Sequence, residues 1–252
     1  MKCIYDLDQW RELRQTDYNS GSLGFVPTMG ALHKGHLSLV QSSIKDNDFT
    51  VVSIFLNPTQ FNNPEDYRTY PRTFEADKAL LENEGVDVLL NPNYDQLYSD
   101  EYKYNILESE LSKQLCSSSR PGHFDGVLTV VMKLLNLVQA RYAYFGEKDY
   151  QQYLLVKGMA QAFFLNTEIV PCPTVREPDG LAYSSRNRRL SPKDRLKAPL
   201  FYSLLKSELD PKRIAVELKT AGFKVDYVEE IGHRRYGAVY AGDVRLIDNV
   251  IC

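Results

Sequence analysis

Long apolar runs and paired cysteines are both missing from this 252-residue sequence. No segment approaches the roughly 20 consecutive apolar residues of a membrane-spanning helix, and the first residues form no apolar signal segment. The cysteines lie at positions 3, 116, 172 and 252 without a C-x-x-C pair, which disfavours a zinc ribbon or a redox motif. We therefore expect a cytoplasmic protein with reduced cysteines and no membrane partner.

An excess of basic residues is missing as well. Lysine and arginine number 30 against 33 aspartates and glutamates, which gives a net charge of −3. A general nucleic-acid binder usually carries a strongly basic face, so we expect no nucleic-acid partner. A local basic pocket for a small anion remains compatible with this balance.

What the sequence does contain is an alternation of short apolar runs and amphipathic stretches. Strands are predicted at 24–28, 51–56, 86–90, 142–145 and 168–170, and helices at 35–45, 73–84, 125–138 and 150–164. This succession predicts an α/β fold with a parallel sheet and helices on both faces.

The pattern breaks between positions 171 and 180, where three prolines and a glycine occur. We place a domain boundary here and predict a first domain at 1–174 and a smaller one at 175–252. The second part shows helical patterns at 193–207 and 211–221, then short strand patterns at 224–230, 237–241 and 243–247. It is therefore predicted to be a small α+β domain.

The first chemically suggestive segment covers residues 29–36, where a strand runs into a glycine-bearing turn and a helix. Ligands of open parallel sheets bind beyond the carboxyl ends of strands, and a helix N-terminus there suits a phosphate. His33 and His36 are three residues apart and can share one helix face. Gly30 and Gly35 have P-loop spacing, but His36-Leu37 replaces the required Lys-Ser/Thr, which excludes that motif. A structural role or a metal site for the histidines stays open from spacing alone.

Three further segments place polar residues after strands or before a helix. Asn57 and Gln60 follow the strand at 51–56, and amides suit a substrate with hydroxyls and a carboxylate. Lys148 follows the strand at 142–145 and suits a phosphate. The turn at 184–186 offers two hydroxyls and an arginine to an anion. A capped turn, a solvated charged run and an ordinary serine turn are the respective alternatives.

The motif His33-Lys34-Gly35-His36 resembles the H-x-G-H signature of the nucleotidyltransferase superfamily, and the preceding Pro-Thr-Met-Gly-Ala-Leu narrows the resemblance to pantothenate synthetases. The segments 55–61, 64–73, 120–124, 144–152, 183–187 and 246–249 also resemble that family, in the family's order. One departure is Cys116-Ser117, where the family usually has Glu-Gly.

The resemblance implies a Rossmann-like sheet with a C-terminal lid domain. It also implies ATP-dependent condensation of (R)-pantoate with β-alanine to pantothenate, AMP and pyrophosphate, through a pantoyl-adenylate. ATP is then a substrate, Mg²⁺ accompanies it, and the protein is expected to be a homodimer.

The resemblance also implies roles for individual residues. The catalytic set is His36, as proton donor, with His33, Lys148 and Arg186. Pantoate and β-alanine are expected to contact Gln60, Gln152, Asn57 and Tyr70, and Asp77 is matched to a magnesium-linked carboxylate. The residues matched to ATP contacts are Met29, Gly30, Ala31, Leu32, His33, Lys34, Gly35, His36, Gly146, Glu147, Lys148, Asp149, Val175, Tyr183, Ser184, Ser185 and Arg186.

Two other classes of function remain alternatives. A nucleotidyltransferase that leaves a nucleotide on its product would share H-x-G-H but would not need Asn57, Gln60 and Gln152 around a small hydroxy acid. A non-catalytic nucleotide-binding module would keep the fold without needing His33, His36, Lys148 and Arg186. Release of free AMP separates both from a ligase. An RNA-binding role is disfavoured by the acidic balance.

Overall fold

The computed structural model describes residues 1–252, except for the side chains of residues 117 and 118. Six parallel strands form the main sheet in the order β1-β4-β3-β2-β5-β6. These strands are β1 (Lys2–Ile4), β2 (Leu23–Thr28), β3 (Phe49–Ile54), β4 (Val88–Leu90), β5 (Tyr142–Gly146) and β6 (Glu168–Cys172). The predicted α/β fold is therefore confirmed, and β1 is an additional edge strand that the apolar pattern did not predict.

Helices cover both faces of this sheet because its strands are apolar on both sides, with Phe25, Val26, Val51 and Val52 fully buried. The helices of this part are α1 (Leu7–Thr16), α2 (Lys34–Asp46), α3 (Pro64–Arg68), α4 (Phe74–Glu84), α5 (Tyr94–Leu97), α6 (Cys116–Ser119), α7 (His123–Val138) and α8 (Tyr150–Ala162). In the part of the chain that is described, no helix is long and apolar enough to cross a membrane.

The C-terminal part forms a separate antiparallel sheet, β7 (Lys224–Ile231), β8 (Arg234–Ala241) and β9 (Val244–Ile251). Its helices are α9 (Pro192–Lys197), α10 (Pro199–Leu205) and α11 (Pro211–Thr220). The predicted helix at 193–207 is thus two helices, and Pro199, which lacks an N–H, begins the second. A core of its own, including Phe201, Leu218 and Val239, holds this part together.

The strand order creates a switch point in the main sheet. From β2 the chain proceeds through β3 to β4 on one side, whereas β5 lies on the other side of β2 and leads to β6. The crevice outside the carboxyl ends of two such strands is the usual ligand site of open α/β sheets. Thr28 ends β2 and Gly146 ends β5, so the fold brings the turns at 29–36 and 147–149 together.

Candidate active site

A cavity of about 210 Å³ lies at this switch point. It adjoins a larger cavity of about 750 Å³ that extends toward β9. The two cavities share a set of lining residues, namely Met29, Gln60, Lys148, Asp149, Gln152, Ser184 and Arg186. One continuous cleft is therefore bounded by the main sheet, by the 184–186 turn and by the C-terminal sheet.

Most of the residues predicted from the sequence line the smaller cavity. They are Met29, His33, Gly35, His36, Asn57, Gln60, Tyr70, Gly146, Lys148, Asp149, Gln152, Val175, Tyr183, Ser184, Ser185 and Arg186. The predicted residues outside its lining are Gly30, Ala31, Leu32, Lys34, Asp77 and Glu147. Lys34 instead lies over the ring of Tyr183, and Glu147 lies 3.7 Å from Arg234.

Hydrogen bonds to the Asp77 side chain stabilise the turn after β2. Gly30 and Ala31 have φ angles of 78° and 53°, and this left-handed backbone directs the following amides away from the cavity. The Asp77 carboxylate accepts from the N–H groups of Ala31 and Leu32, each at 2.8 Å, and from Thr73 Oγ1 at 3.1 Å. The N–H groups of Ala31 and Leu32 are thus occupied by Asp77, and the ATP contacts matched to Gly30, Ala31 and Leu32 stay a prediction.

Asp77, which the resemblance matched to a magnesium-linked carboxylate, is engaged by donors of the protein. Asp77 is only 2% exposed, and both of its oxygens face donors of the protein. Among the described residues, no group of three or more His, Cys, Asp or Glu side chains is placed to hold a metal ion.

The rings of the two histidines of the motif stack on each other at the N-terminus of α2. His33 is the N-cap, and its Nδ1 accepts from the Gly35 N–H at 3.2 Å, so Nε2 carries the proton of the neutral ring. The rings of His33 and His36 are 4.0 Å apart between centroids. The buried Nδ1 of His36 has no hydrogen-bond partner in the described structure, and a ligand can satisfy such a nitrogen.

Both histidines are neutral at pH 7. Burial lowers the pKa of His33 to about 2, and repulsion from a protonated His36 and from the cations of Lys148 and Arg188 adds to this shift. Burial also lowers the pKa of His36 to about 4. The imidazoles therefore offer hydrogen bonds to a phosphate, while standing positive charge comes from cations such as Lys148 and Arg186, which line both cavities.

The turn after β5 is tied to the C-terminal sheet. Lys148 lines both cavities, and its Nζ lies 3.6 Å from Asp149 Oδ2. The side-chain amide of Asn249 donates to the carbonyls of Glu147 and Lys148, at 2.8 and 3.0 Å. The guanidinium of Arg234 stacks on Tyr150 at 3.6 Å. Residues of the C-terminal sheet thus fix the backbone from which Lys148 projects.

The amide of Asn57 is engaged inside the protein. Its Oδ1 accepts from Thr59 Oγ1 and Tyr98 Oη, and its Nδ2 donates to Gln60 Oε1 and the Gly126 carbonyl. A direct contact of Asn57 with a substrate therefore requires the exchange of one of these bonds. Gln60 is the more accessible amide, because it is half-buried and lines both cavities.

His123 and Arg120 position the turn that carries Gln60. Nδ1 of His123 donates to the Gln60 carbonyl at 2.8 Å, and its Nε2 accepts from Arg120 Nη1 at 3.0 Å. Burial, followed by the charge of Arg120, lowers the pKa of His123 to about 3, so the ring is neutral in this bridging state. These contacts make His123 a residue that orients the turn carrying Gln60.

Cys116, the first residue of the Cys116-Ser117 departure, also joins the two parts of the chain. Its Sγ lies 3.0 Å from Tyr227 Oη and 3.6 Å from Arg245 Nη2. The side chain of Ser117 lies outside the described part of the structure.

The 184–186 turn closes the cleft from the C-terminal side. Ser184 caps the turn by accepting from the Arg186 N–H at 3.3 Å. Ser185 Oγ lies 3.0 Å from Tyr70 Oη, which is buried, and Arg186 lies 2.8 Å from Asp66. Asp66 and Asn249 also belong to the site, and no local sequence pattern marks them because their partners lie about a hundred residues away along the chain.

Buried His123 and half-buried His33 and His36 together predict acid sensitivity. Below pH 6.5 the unfolded chain binds protons that folded His33, His36 and His123 do not, so the stability conferred by their neutral state is lost as the pH falls. Each contributes up to about 1.4 kcal/mol per pH unit. Denaturant unfolding between pH 7.5 and 5 should show this slope. His123→Gln should reduce this slope by up to about 1.4 kcal/mol per pH unit, the equivalent of one proton. The control is His233→Gln, which replaces an exposed histidine. An unchanged slope in His123→Gln would contradict the conclusion that folded His123 is neutral.

A comparison with known families agrees with this geometry. The model of the family described as pantoate-beta-alanine ligase matches residues 2–251. The chain belongs to this family. Among its relatives, the pantothenate synthetase of Bdellovibrio bacteriovorus is 53% identical over 231 residues, which cover 92% of each chain. That of Legionella pneumophila strain Corby is 50% identical over 251 residues, and the match covers 100% of both chains.

Solved structures of ligases from this family have the same fold. The pantoate-beta-alanine ligase of Francisella tularensis, complexed with "Beta-gamma ATP and Beta-alanine", superposes with a TM-score of 0.96 at 42% identity, covering 100% of this chain and 97% of that one. The pantothenate synthetase of Thermus thermophilus superposes with a TM-score of 0.90 at 39% identity, covering 100% and 99%. The family resemblance inferred from the H-x-G-H segment is therefore confirmed.

Proposed function

We propose that this chain is an AMP-forming ligase that condenses (R)-pantoate with β-alanine. The observation that carries the proposal is one cleft in which neutral His33 and His36, cationic Lys148 and Arg186, and the amide of Gln60 all meet. Cations and ring N–H groups suit a triphosphate, whereas amides suit a small hydroxy acid. Family membership supplies the identity of the two acids.

The reaction proceeds in two displacements. A carboxylate oxygen of pantoate attacks the α-phosphorus of ATP, and the bond to pyrophosphate breaks. The amine nitrogen of β-alanine then attacks the acyl carbon, loses a proton, and expels AMP to give pantothenate. Lys148 and Arg186 offset the charge on the phosphates, and the histidines donate hydrogen bonds. Gln60, Gln152 and Tyr70 hold the pantoate so that its carboxylate faces the phosphorus.

ATP is proposed to act as its Mg²⁺ complex. The described residues form no protein-only magnesium cage, and Asp77 is engaged elsewhere. Mg²⁺ is commonly bound through substrate phosphates and water with one or two carboxylates, and Asp149 is the carboxylate that lines both cavities. The ion would therefore enter with the nucleotide and offset its phosphate charge.

We also propose that residues 1–174 and 175–252 are the two domains, and that the second closes over the cleft as a lid. Separate apolar cores on either side of position 174 support this division. A lid would protect the adenylate from water. A cytoplasmic homodimer is proposed from the family resemblance; the free state of all four cysteines fits a reducing compartment.

The test is AMP release from ATP and Mg²⁺, with pantoate and β-alanine added separately and together. If the protein is a ligase, AMP release should be sustained only when both acids are present, and the product should have the mass of pantothenate. A nucleotidyltransferase would retain the nucleotide on its product, and a binding module would release no AMP while still binding ATP. Light scattering of the same sample tests the homodimer.

A further inference from the structure

Helix α3, which follows the Gln60 turn, is attached to the 184–189 turn by an ion-pair cluster. Asp66 Oδ2 lies 2.8 Å from Arg186 Nη2, and Asp66 Oδ1 lies 2.6 Å from Arg189 Nη1. The three side chains are each about one quarter exposed, at 23–24%. One carboxylate therefore bridges two guanidinium groups at the wall of the larger cavity, which all three residues line.

The cluster is electrostatically an occupied anion site. Two arginines on one short turn repel each other unless an anion lies between them, and a carboxylate or a phosphate can fill that position. Burial alone would raise the pKa of Asp66, but Arg186 and Arg189 together lower it, so the carboxylate is ionised. Arg186 also lines the smaller cavity, beside Ser184 and Lys148.

Contacts with the same 184–189 turn also hold Tyr70 in place. Tyr70 Oη lies 3.0 Å from Ser185 Oγ, and the Arg186 guanidinium lies 5.7 Å from the Tyr70 ring. The contacts of Asp66 and Tyr70 therefore hold residues 64–70 against the 184–189 turn, above the cavity that Gln60 and Tyr70 line. Loss of the Asp66 contacts would weaken this closure.

We propose that Asp66 is an internal counter-anion that exchanges with the phosphates of the nucleotide at Arg186 and Arg189. The proposal rests on the proposed function, because it takes Arg186 to be a phosphate contact. When the triphosphate binds, its phosphates replace the Asp66 carboxylate between the arginines. When pyrophosphate leaves, Asp66 pairs with them again and draws residues 64–70 closed over the pantoyl-adenylate. Asp66 is thus a positioning residue that links pyrophosphate departure to protection of the intermediate.

The variant that tests the exchange is Asp66→Asn, with Glu65→Gln as its matched control. Glu65 lies next to Asp66 on α3, but its carboxylate forms its ion pair with Arg68, at 2.6 Å, and feels Arg189 only through a weaker, longer-range attraction; both Glu65 and Arg68 side chains are more than half exposed. The two variants therefore remove the same charge from the same helix. Only Asp66→Asn removes the competitor from Arg186 and Arg189.

Two quantities should both rise in Asp66→Asn: the affinity for pyrophosphate and the AMP released per pantothenate. Magnesium pyrophosphate, titrated calorimetrically into the protein, should bind about fivefold more tightly, the scale of one partly exposed ion pair. The AMP released per pantothenate formed should rise about fivefold, because water reaches an adenylate that is no longer covered. Glu65→Gln should match the wild type in both. Weaker pyrophosphate binding in Asp66→Asn, or no difference from Glu65→Gln, would overturn the exchange.

A second measurement needs no variant. Saturating magnesium pyrophosphate should accelerate amide hydrogen exchange in residues 64–70 of the wild-type protein, since it detaches Asp66; unchanged or slower exchange there would contradict the proposal. Pantothenate formation by the wild type keeps the proposed function intact in either case. A wild type that forms no pantothenate and binds no pyrophosphate would instead remove the proposed function itself.

Discussion

Replacing Lys148 with alanine is expected to lower the rate of adenylate formation at least ~10²-fold, the usual scale for one positioned group that stabilises transition-state charge. His33 and His36 are neutral at pH 7, with pKa values lowered to about 2 and 4, so they supply hydrogen bonds without charge. Lys148 is the cation at the carboxyl end of β5, and only 20% of its side chain is exposed. Its loss therefore removes fixed positive charge from a partly desolvated site.

The measurement is single-turnover formation of pantoyl-adenylate from ATP and pantoate, without β-alanine. The control is Lys157→Ala on α8, which removes an exposed lysine from the same helical region and should leave the rate unchanged. Because Asn249 holds the backbone of residues 147–148, the turn should persist without the Lys148 side chain. Near-normal turnover in Lys148→Ala would exclude Lys148 from the phosphate site.

The sequence alone predicted the parts of the fold that follow from local pattern. The strands at β2 to β6 were predicted because each is a short apolar run between turn residues, and their boundaries differ from the observed ones by a few residues. Strand β1 has only three residues and is recognisable by its pairing with β4, which no local pattern reveals. The break between α9 and α10 was missed although Pro199 marks it, because the apolar spacing continues across the proline.

In the candidate site, too, residues in local motifs were predictable, whereas contacts between residues far apart in the sequence were not. His33, Lys148 and Arg186 were predicted because motif order and the ends of parallel strands bring their segments to one crevice. The bridging of Arg186 and Arg189 by Asp66 joins residues about 120 positions apart, so it becomes visible only in the folded chain. Asp77 was matched to magnesium by position, and only the left-handed turn at Gly30 and Ala31 reveals its actual partners.

Replacing Asp77 with alanine is expected to lower the free energy of unfolding by about 2–6 kcal/mol, since two buried N–H groups lose their acceptor at about 1–3 kcal/mol each. Ligase activity should fall as well, on the order of 10²-fold, because the turn that precedes His33 loses its support and misplaced groups catalyse poorly. Asp77→Asn should be milder, since its carbonyl oxygen keeps one acceptor. Glu75→Ala, in the same first turn of α4 but exposed, is the matched control.

The response to magnesium separates a structural Asp77 from a metal-binding one. If Asp77 supports the turn, the stability loss in Asp77→Ala appears without any metal, and raising Mg²⁺ restores neither stability nor turnover. If Asp77 binds the ion, the free energy of unfolding measured without metal should stay near that of the wild type, and excess Mg²⁺ should recover part of the activity. The three contacts to Ala31, Leu32 and Thr73 favour the first outcome, because protein donors already occupy most of the roughly four acceptor positions of this buried carboxylate. Denaturant unfolding with and without Mg²⁺, run beside Glu75→Ala, decides between them.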